Sequence, residues 1–274
     1  MNPIFRMFVV MLLSACATVP APAERRQFAD TLAAAKGWQA TELAVAPFTL
    51  VAYVPATIAK APGLTVYIEG DGFAWLTGSQ PSSDPTPRDP LALRLALAHP
   101  AGNAAYLARP CQYVDAERSA CAQRYWTEKR FAPEAIDAAN RAVDVLKQRF
   151  GAQQLTLVGY SGGGAVAALL AERRTDVARL VTVAGNLDHR AWTAHHRVQP
   201  LSGSLNAADD AAQLERLPQT HFIGVRDRVI PPELAQKFPL AMRGVGSSKL
   251  RIVADYDHHC CWADNWAQLW RERL

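Results

Sequence analysis

The sequence lacks the features that identify membrane-spanning, metal-binding and nucleic-acid-binding proteins. Its N-terminal apolar run, residues 7–13, is too short to cross a bilayer as a helix. No pair of CxxC motifs and no histidine cluster has the spacing of tetrahedral metal ligands, so we expect no metal and no other cofactor. The net charge is only +4, with lysine and arginine scattered along the chain, which predicts no nucleic-acid partner.

Internal repeats are also missing, and no break in composition suggests a second large domain. Half of the 274 residues are apolar and a fifth are charged, as in ordinary globular proteins. A length of this order fits one large domain once an N-terminal leader is set aside. We therefore expect a single folded domain over residues 31–274.

The N-terminus has the order of a secretory signal: an arginine, a short apolar run and small residues, over residues 1–15. The cysteine that follows, Cys16, makes this segment resemble a bacterial lipobox. The resemblance implies export, cleavage before Cys16 and a lipid on its sulfur, with residues 16–30 as a flexible tether. Ala17 is not the aspartate that marks inner-membrane retention, so we expect the periplasmic side of the outer membrane. The alternative is a plain signal peptide with an incidental cysteine.

Of the five cysteines, four follow Cys16. An even number in an oxidising compartment favours disulfides. A bond between Cys111 and Cys121 would close a short loop and is the expected pairing. Cys260 and Cys261 would then form a vicinal disulfide or remain thiols.

Short apolar strands alternate with helical segments from about residue 48 onward. The clearest helix is residues 133–150, with apolar residues at helical spacing and Gly151 at its end. The strands of the second half of the chain are predicted from continuous apolar runs. All predicted strands together cover residues 48–54, 64–68, 103–109, 155–158, 178–184, 221–225 and 250–253. This alternation predicts an α/β fold with a mostly parallel sheet and helices on both faces.

The segment 159–163 reads G-Y-S-G-G and matches the nucleophile-elbow pattern G-x-S-x-G. It lies directly after the predicted strand 155–158 and directly before a helix predicted over residues 164–174, which is the context that this pattern requires. Ser161 is therefore the candidate nucleophile, with the amide of Gly162 directed at developing negative charge. A phosphate-binding turn is the alternative, but the lysine and wider glycine spacing of a P-loop are missing.

A serine nucleophile needs a base, and in this arrangement the order along the chain is serine, acid, histidine. Asp227 follows the strand 221–225 and is the preferred acid, with Asp188 second because it follows an earlier strand. His258 and His259 follow the last strand. Successive side chains point in different directions, so one of them should reach Ser161. We favour His258 as the base and keep His259 as the alternative.

A second oxyanion donor should come from the loop E-G-D-G, residues 69–72, after an early strand. This loop resembles the H-G-G-G motif with Glu69 in place of histidine, and its donor would be the amide of Asp71 or Gly72. Residues 109–112 and 125–126 are expected to flank the site.

The elbow, the E-G-D-G loop and the terminal D-H-H-C-C-W segment together resemble a bacterial family of secreted α/β-hydrolase lipoproteins. The resemblance covers about residues 48–270 and implies the α/β-hydrolase fold, with a triad of Ser161, Asp227 and His258. The expected activity is cleavage of carboxylic esters, with a small-molecule acyl substrate and the membrane as partners. The alternatives are a peptidase or amidase with the same triad and a non-catalytic envelope lipoprotein on a hydrolase scaffold.

Overall fold

The computed structural model of the chain describes residues 19–115, 119–238 and 248–273. The predicted signal peptide, residues 1–15, and the predicted lipidation site, Cys16, lie outside these ranges. The strands are β1 (Trp38–Val45), β2 (Phe48–Pro55), β3 (Gly63–Ile68), β4 (Ala104–Leu107), β5 (Gln154–Tyr160), β6 (Val177–Val183), β7 (Gln219–Gly224) and β8 (Ser248–Val253). The helices are α1 (Pro22–Ala34), α2 (Leu91–Leu97), α3 (Pro133–Phe150), α4 (Gly162–Ala171), α5 (His189–His196), α6 (Pro232–Ala235) and α7 (Trp266–Arg273).

All eight strands form one sheet in the order β1-β2-β4-β3-β5-β6-β7-β8. β2 is antiparallel to β1 and to β4, and the pairs from β4 to β8 are parallel. The carboxyl ends of the parallel strands therefore meet at one edge of the sheet, where ligands bind in open α/β folds.

Two hydrophobic cores lie on opposite faces of the sheet, because alternate residues of a strand point to opposite sides. In β2, for example, Leu50 and Ala52 belong to one core and Val51 and Tyr53 to the other. Helices α3 and α4 cover the first face, and α1, α2 and α7 cover the second. The prediction of a mostly parallel sheet with helices on both faces is confirmed.

The structure differs from the sequence-based expectation at the N-terminus. Residues 22–30 were expected to continue the flexible tether, whereas they form most of α1. The helix packs on the domain through Ala29 and Ala33, which are fully buried, and through Arg25, whose Nη2 lies 3.2 Å from Asp84 Oδ1. The small alanines gave no clear apolar stripe, and Pro22 stands at a first-turn position where proline favours a helix.

Two further elements differ from the sequence-based expectation. Strand β1 was not predicted, because as an edge strand it buries only Leu43 and Val45, and its other residues mix polar side chains with alanines and a tryptophan. Helix α4 was expected to begin at Gly164 but begins at Gly162, immediately after the elbow serine. Glycine is a poor helix former, but here tertiary packing outweighs propensity: a methyl group on Gly163 would overlap with the Ile68 carbonyl.

Candidate active site

The elbow serine lies in a strained turn between β5 and α4. Ser161 has φ 52° and ψ −123°, a backbone conformation that costs energy for any residue except glycine. The turn is possible because Gly159 and Gly163, two residues to either side, have no side chains: a methyl group on Gly159 would overlap with the Gly163 carbonyl. The Ser161 side chain therefore stands at the amino end of α4, where the first N–H groups of a helix have no partner within the helix.

His258 links the serine to a carboxylate. Its Nε2 lies 3.0 Å from Ser161 Oγ, and its Nδ1 lies 2.8 Å from Asp227 Oδ2. All three residues are buried, with 9% or less of their surface exposed. The three side chains thus form one continuous hydrogen-bonded chain from hydroxyl to carboxylate, with the geometry of a nucleophile, a base and an orienting acid.

Asp227 is held by the turn that carries it. Its second oxygen, Oδ1, accepts hydrogen bonds from the amides of Val229 and Ile230, at 2.8 and 2.7 Å. The same turn is held from α5, because the indole N–H of Trp192 donates to the Val229 carbonyl over 2.7 Å. The orientation of the carboxylate toward His258 therefore does not depend on His258 alone.

The two alternative candidates lie elsewhere. His259 is exposed, and its Nδ1 lies 3.2 Å from the phenol oxygen of Tyr160. Partial desolvation of its ring and the charge of the neighbouring His258 lower the pKa of His259 below its usual range. Asp188 caps α5, where its carboxylate accepts from the amides of Arg190 and Ala191 at 3.1 Å. Neither side chain takes part in the chain of contacts between Ser161 and Asp227.

The loop after β3 packs directly on the elbow. A methyl group on Gly70 would lie 3.2 Å from the Ser161 Cβ, and one on Gly162 would overlap with Asp71 Oδ1. A methyl group on Gly72 would instead overlap with the Pro85 carbonyl. Asp71 is therefore the residue of this loop whose side chain adjoins Gly162.

Glu69 supports this loop from within the protein. Its Oε1 accepts hydrogen bonds from the amides of Gly70, at 2.9 Å, and Ala92, at 3.4 Å. Its Oε2 is buried without a hydrogen-bond partner among the described residues. Burial raises the pKa of Glu69 to about 7. The residue that stands where the related motif has histidine therefore contacts the loop backbone and does not face Ser161.

Two arginines contact the carboxylate of Asp71, and only one of them was singled out from the sequence. Arg130 Nη1 lies 2.6 Å from Asp71 Oδ2, and Arg109 Nη1 lies 3.4 Å from Asp71 Oδ1. Arg109 lies in a segment expected to flank the site, whereas Arg130 was not singled out. It is one of many scattered arginines, and no motif marks it.

Tyr160 is a second residue that sequence reasoning missed. As the variable residue of the elbow motif it carries no signal, yet its phenol donates to the main-chain carbonyl of His258 over 3.1 Å. Its ring lies 5.2 Å from the His258 ring, centroid to centroid. Tyr160 thus joins the strand that carries the candidate nucleophile to the loop that carries the candidate base.

Two disulfides lie near the site, Cys111–Cys121 and Cys260–Cys261. The first is the pairing expected from the sequence, and it flanks Gln112, whose Nε2 donates to the Gly70 carbonyl over 3.0 Å. The second directly follows His258 and His259. Both bridges therefore border loops that carry candidate site residues.

The architecture is similar to that of known proteins. A family model described as the alpha/beta hydrolase fold matches residues 113–202, which include Ser161. An esterase of Pyrococcus furiosus, Pf2001, superposes with a TM-score of 0.59 at 14% identity, covering 93% of each chain. An acylaminoacyl peptidase of Pyrococcus horikoshii superposes with a TM-score of 0.60 at 10% identity, covering 86% of this chain and 41% of its own. No curated protein sequence matches the chain. The chain has the α/β-hydrolase fold.

Proposed function

We propose that this α/β-hydrolase-fold protein is a serine hydrolase that cleaves carboxylic esters through an acyl-enzyme on Ser161. The observation that carries the proposal is the buried chain of contacts from Ser161 Oγ through His258 to Asp227, at 3.0 and 2.8 Å. A serine hydroxyl is a weak nucleophile near neutral pH, and a base at hydrogen-bond distance is what activates it.

In the first step, His258 Nε2 takes the Ser161 proton while Oγ attacks the carbonyl carbon of the substrate. Asp227 accepts the hydrogen bond from Nδ1–H, which keeps the Nε2 lone pair directed at the hydroxyl. It also stabilises the imidazolium that forms. The fixed turn around Asp227 matters because a misoriented carboxylate would allow the wrong tautomer.

The negative charge that develops on the carbonyl oxygen would be held by the amides of Gly162 and Asp71. Gly162 is the first residue of α4, so its N–H has no acceptor within the helix and can donate to the oxyanion. Removal of one such donor typically costs about 3 kcal/mol of transition-state stabilisation. His258 then returns its proton to the leaving group, and water attacks the acyl-enzyme with His258 again as the base.

Esters are the proposed substrates because an alkoxide leaves more readily than an amine, which must be protonated before it departs. Paired ester and amide substrates with the same acyl group test this part of the proposal. A higher kcat/KM for the ester is expected. A clear preference for the amide would instead indicate a peptidase or amidase with the same triad.

Labelling of the purified full chain with a fluorophosphonate probe tests the nucleophile and the base. Labelling should disappear in Ser161→Ala and fall sharply in His258→Ala. His259→Ala is the matched control, because it removes the neighbouring imidazole and should keep the labelling. A folded wild-type protein that neither labels nor hydrolyses esters would contradict the proposal and favour a non-catalytic scaffold.

We further propose that the chain is exported and anchored to a membrane through a lipid on Cys16. Support comes from the N-terminal sequence pattern. Within the part of the chain that the structure describes, no helix has the length and apolar character needed to cross a bilayer. In bacterial cells, Cys16→Ala should release the protein from the membrane fraction and abolish incorporation of a labelled fatty acid. An unchanged membrane fraction and unchanged labelling would contradict the anchor.

A further inference from the structure

The carboxylate of Asp71 lies where a negative charge should be harmful. The space beside the Cα of Gly162 is occupied by Asp71 Oδ1, so the carboxylate adjoins the elbow. Its side chain is 23% exposed, so the surrounding protein does not cover it completely. The proposed reaction places an oxyanion next to this loop, and like charges at close range in a poorly solvated site repel strongly.

Two buried arginines oppose this charge, one on each carboxylate oxygen. Arg130 contacts Oδ2 at 2.6 Å and Arg109 contacts Oδ1 at 3.4 Å. Burial alone would raise the pKa of Asp71, but the two guanidinium groups outweigh that effect and hold the pKa below its ordinary value. The carboxylate is ionised at neutral pH, and the cluster of one acid and two bases carries a net positive charge.

Both arginines are themselves held in place. Arg130 Nε donates to the Thr127 carbonyl over 2.8 Å, and Arg109 Nη2 donates to the Arg130 carbonyl. The Arg109 guanidinium also lies over the Phe131 ring, 5.0 Å from its centre. The positive charges therefore cannot swing away from Asp71 without breaking buried contacts.

The segment that carries Arg109 also supports the backbone of the loop after β3, residues 69–72, which we call the oxyanion loop because it carries the proposed second donor. The amide of Arg109 donates to Gln112 Oε1 over 2.9 Å, and Gln112 Nε2 donates to the Gly70 carbonyl over 3.0 Å. The loop is thus held at the Gly70 carbonyl and at the Asp71 carboxylate. These two points flank the Asp71 amide, so its position depends on this network.

We propose that Arg130, supported by Arg109, is a positioning residue that neutralises the Asp71 carboxylate and fixes the Asp71 amide toward the oxyanion. Arg130 acts through Asp71 and not by touching the substrate. The inference rests on the proposed serine-hydrolase function. It assigns to a buried ion pair a role in the chemical step that goes beyond stability.

The test is a series of charge-neutralising variants of the full chain, whose kcat and KM are measured with a soluble ester substrate. Arg130→Gln leaves the Asp71 carboxylate under-compensated beside the oxyanion, so kcat should fall on the order of 100-fold with little change in KM. The double variant Asp71→Asn with Arg130→Gln restores the net charge of the cluster. It should recover most of the lost kcat, which a purely structural ion pair would not do.

Arg174 supplies the matched control. Its side chain is 8% exposed and contacts Asp144 and Asp176, each at 2.8 Å. It lies before β6, at the opposite edge of the sheet from Ser161. Arg174→Gln should lower the melting temperature and leave kcat within about twofold of wild type, since surface and structural changes away from the site do not alter the chemical step.

Three outcomes decide the inference. A kcat for folded Arg130→Gln within about threefold of wild type overturns it. So does a folded double variant no more active than Arg130→Gln. If Arg130→Gln does not fold, Arg130→Lys takes its place: it keeps the positive charge opposite Asp71 but not the planar contact, so its kcat should stay within about tenfold of wild type, and a larger loss in folded Arg130→Lys overturns the inference. Loss of wild-type activity in Ser161→Ala is scored separately, so that failure of the proposed function is distinguished from failure of this inference.

Discussion

The phenol of Tyr160 donates a hydrogen bond to the main-chain carbonyl of His258 over 3.1 Å. The residue before the candidate nucleophile is therefore in direct contact with the residue proposed as the base. This contact crosses from the end of β5 to the loop after β8, two strands that are not neighbours in the sheet. It ties the two halves of the proposed catalytic pair together without involving either reacting atom.

Tyr160→Phe should therefore lower kcat while leaving KM nearly unchanged. One buried hydrogen bond contributes about 1 kcal/mol. If this hydrogen bond serves to position His258, its loss lowers kcat about fivefold. Tyr53→Phe is the matched control: its phenol donates to Asp30 Oδ1 over 2.7 Å, away from the site. Steady-state kinetics on both variants check the prediction, and equal effects on kcat would argue against a positioning role for Tyr160.

Gly162→Ala should abolish most activity. The added methyl group would overlap with Asp71 Oδ1, and that carboxylate cannot move freely because Arg109 and Arg130 hold it. The oxyanion loop must then shift away from Ser161, at a cost of about 1–3 kcal/mol in stability as well. Gly78→Ala is the control, since a methyl group there meets no atom within 4 Å. Ester hydrolysis and thermal melting give the comparison, and a fully active Gly162→Ala protein would count against the described loop packing.

Glu69 should make the free energy of unfolding depend on pH. Burial raises its folded pKa to about 7, above the ordinary value of 4.5. Because the folded pKa is raised, Glu69 contributes to the free energy of unfolding in full below pH 4.5. This contribution is lost as the pH rises through 7. The loss amounts to about 3 kcal/mol.

Glu69→Gln should remove this part of the pH dependence, because the amide does not ionise. Denaturant unfolding of wild type and variant at several pH values between about 4 and about 8.5 checks the sign and the size. Other buried groups, such as Glu172, titrate in both proteins and cancel in the difference. A wild-type minus variant difference that stays constant across this range would show that Glu69 does not titrate as described.

Reduction of the Cys260–Cys261 disulfide should lower activity by moving the loop that carries His258. Asp257 Oδ1 accepts from the amides of His259 and Cys260, both at 2.7 Å, so the disulfide belongs to one tight turn with the candidate base. Activity should fall after treatment with a phosphine reductant. A variant with Cys260→Ser and Cys261→Ser should not respond, which separates this bridge from Cys111–Cys121. Unchanged wild-type activity after verified reduction would contradict the prediction that this disulfide controls activity.

Much of the fold followed from local patterns. The helix predicted over residues 133–150 agrees with α3 at both ends, because its apolar spacing, first-turn proline and final glycine are all local signals. Helix α1 was missed because its burial depends on two alanines that pack against the rest of the domain. Strand β1 was missed because an edge strand has little apolar alternation to detect.

The sequence by itself determined the chain of elements, the elbow around Ser161 and the order of the candidate acid and base. These follow from local propensity and from residues that must lie close together along the chain. Only the tertiary structure decided which histidine lies beside Ser161, that the Asp71 carboxylate adjoins Gly162, and that Arg130 and Arg109 contact this carboxylate. Such choices depend on where the ends of separate strands meet and on the direction of each side chain. A contact across 59 residues, such as that of Arg130 with Asp71, leaves no mark in either local sequence.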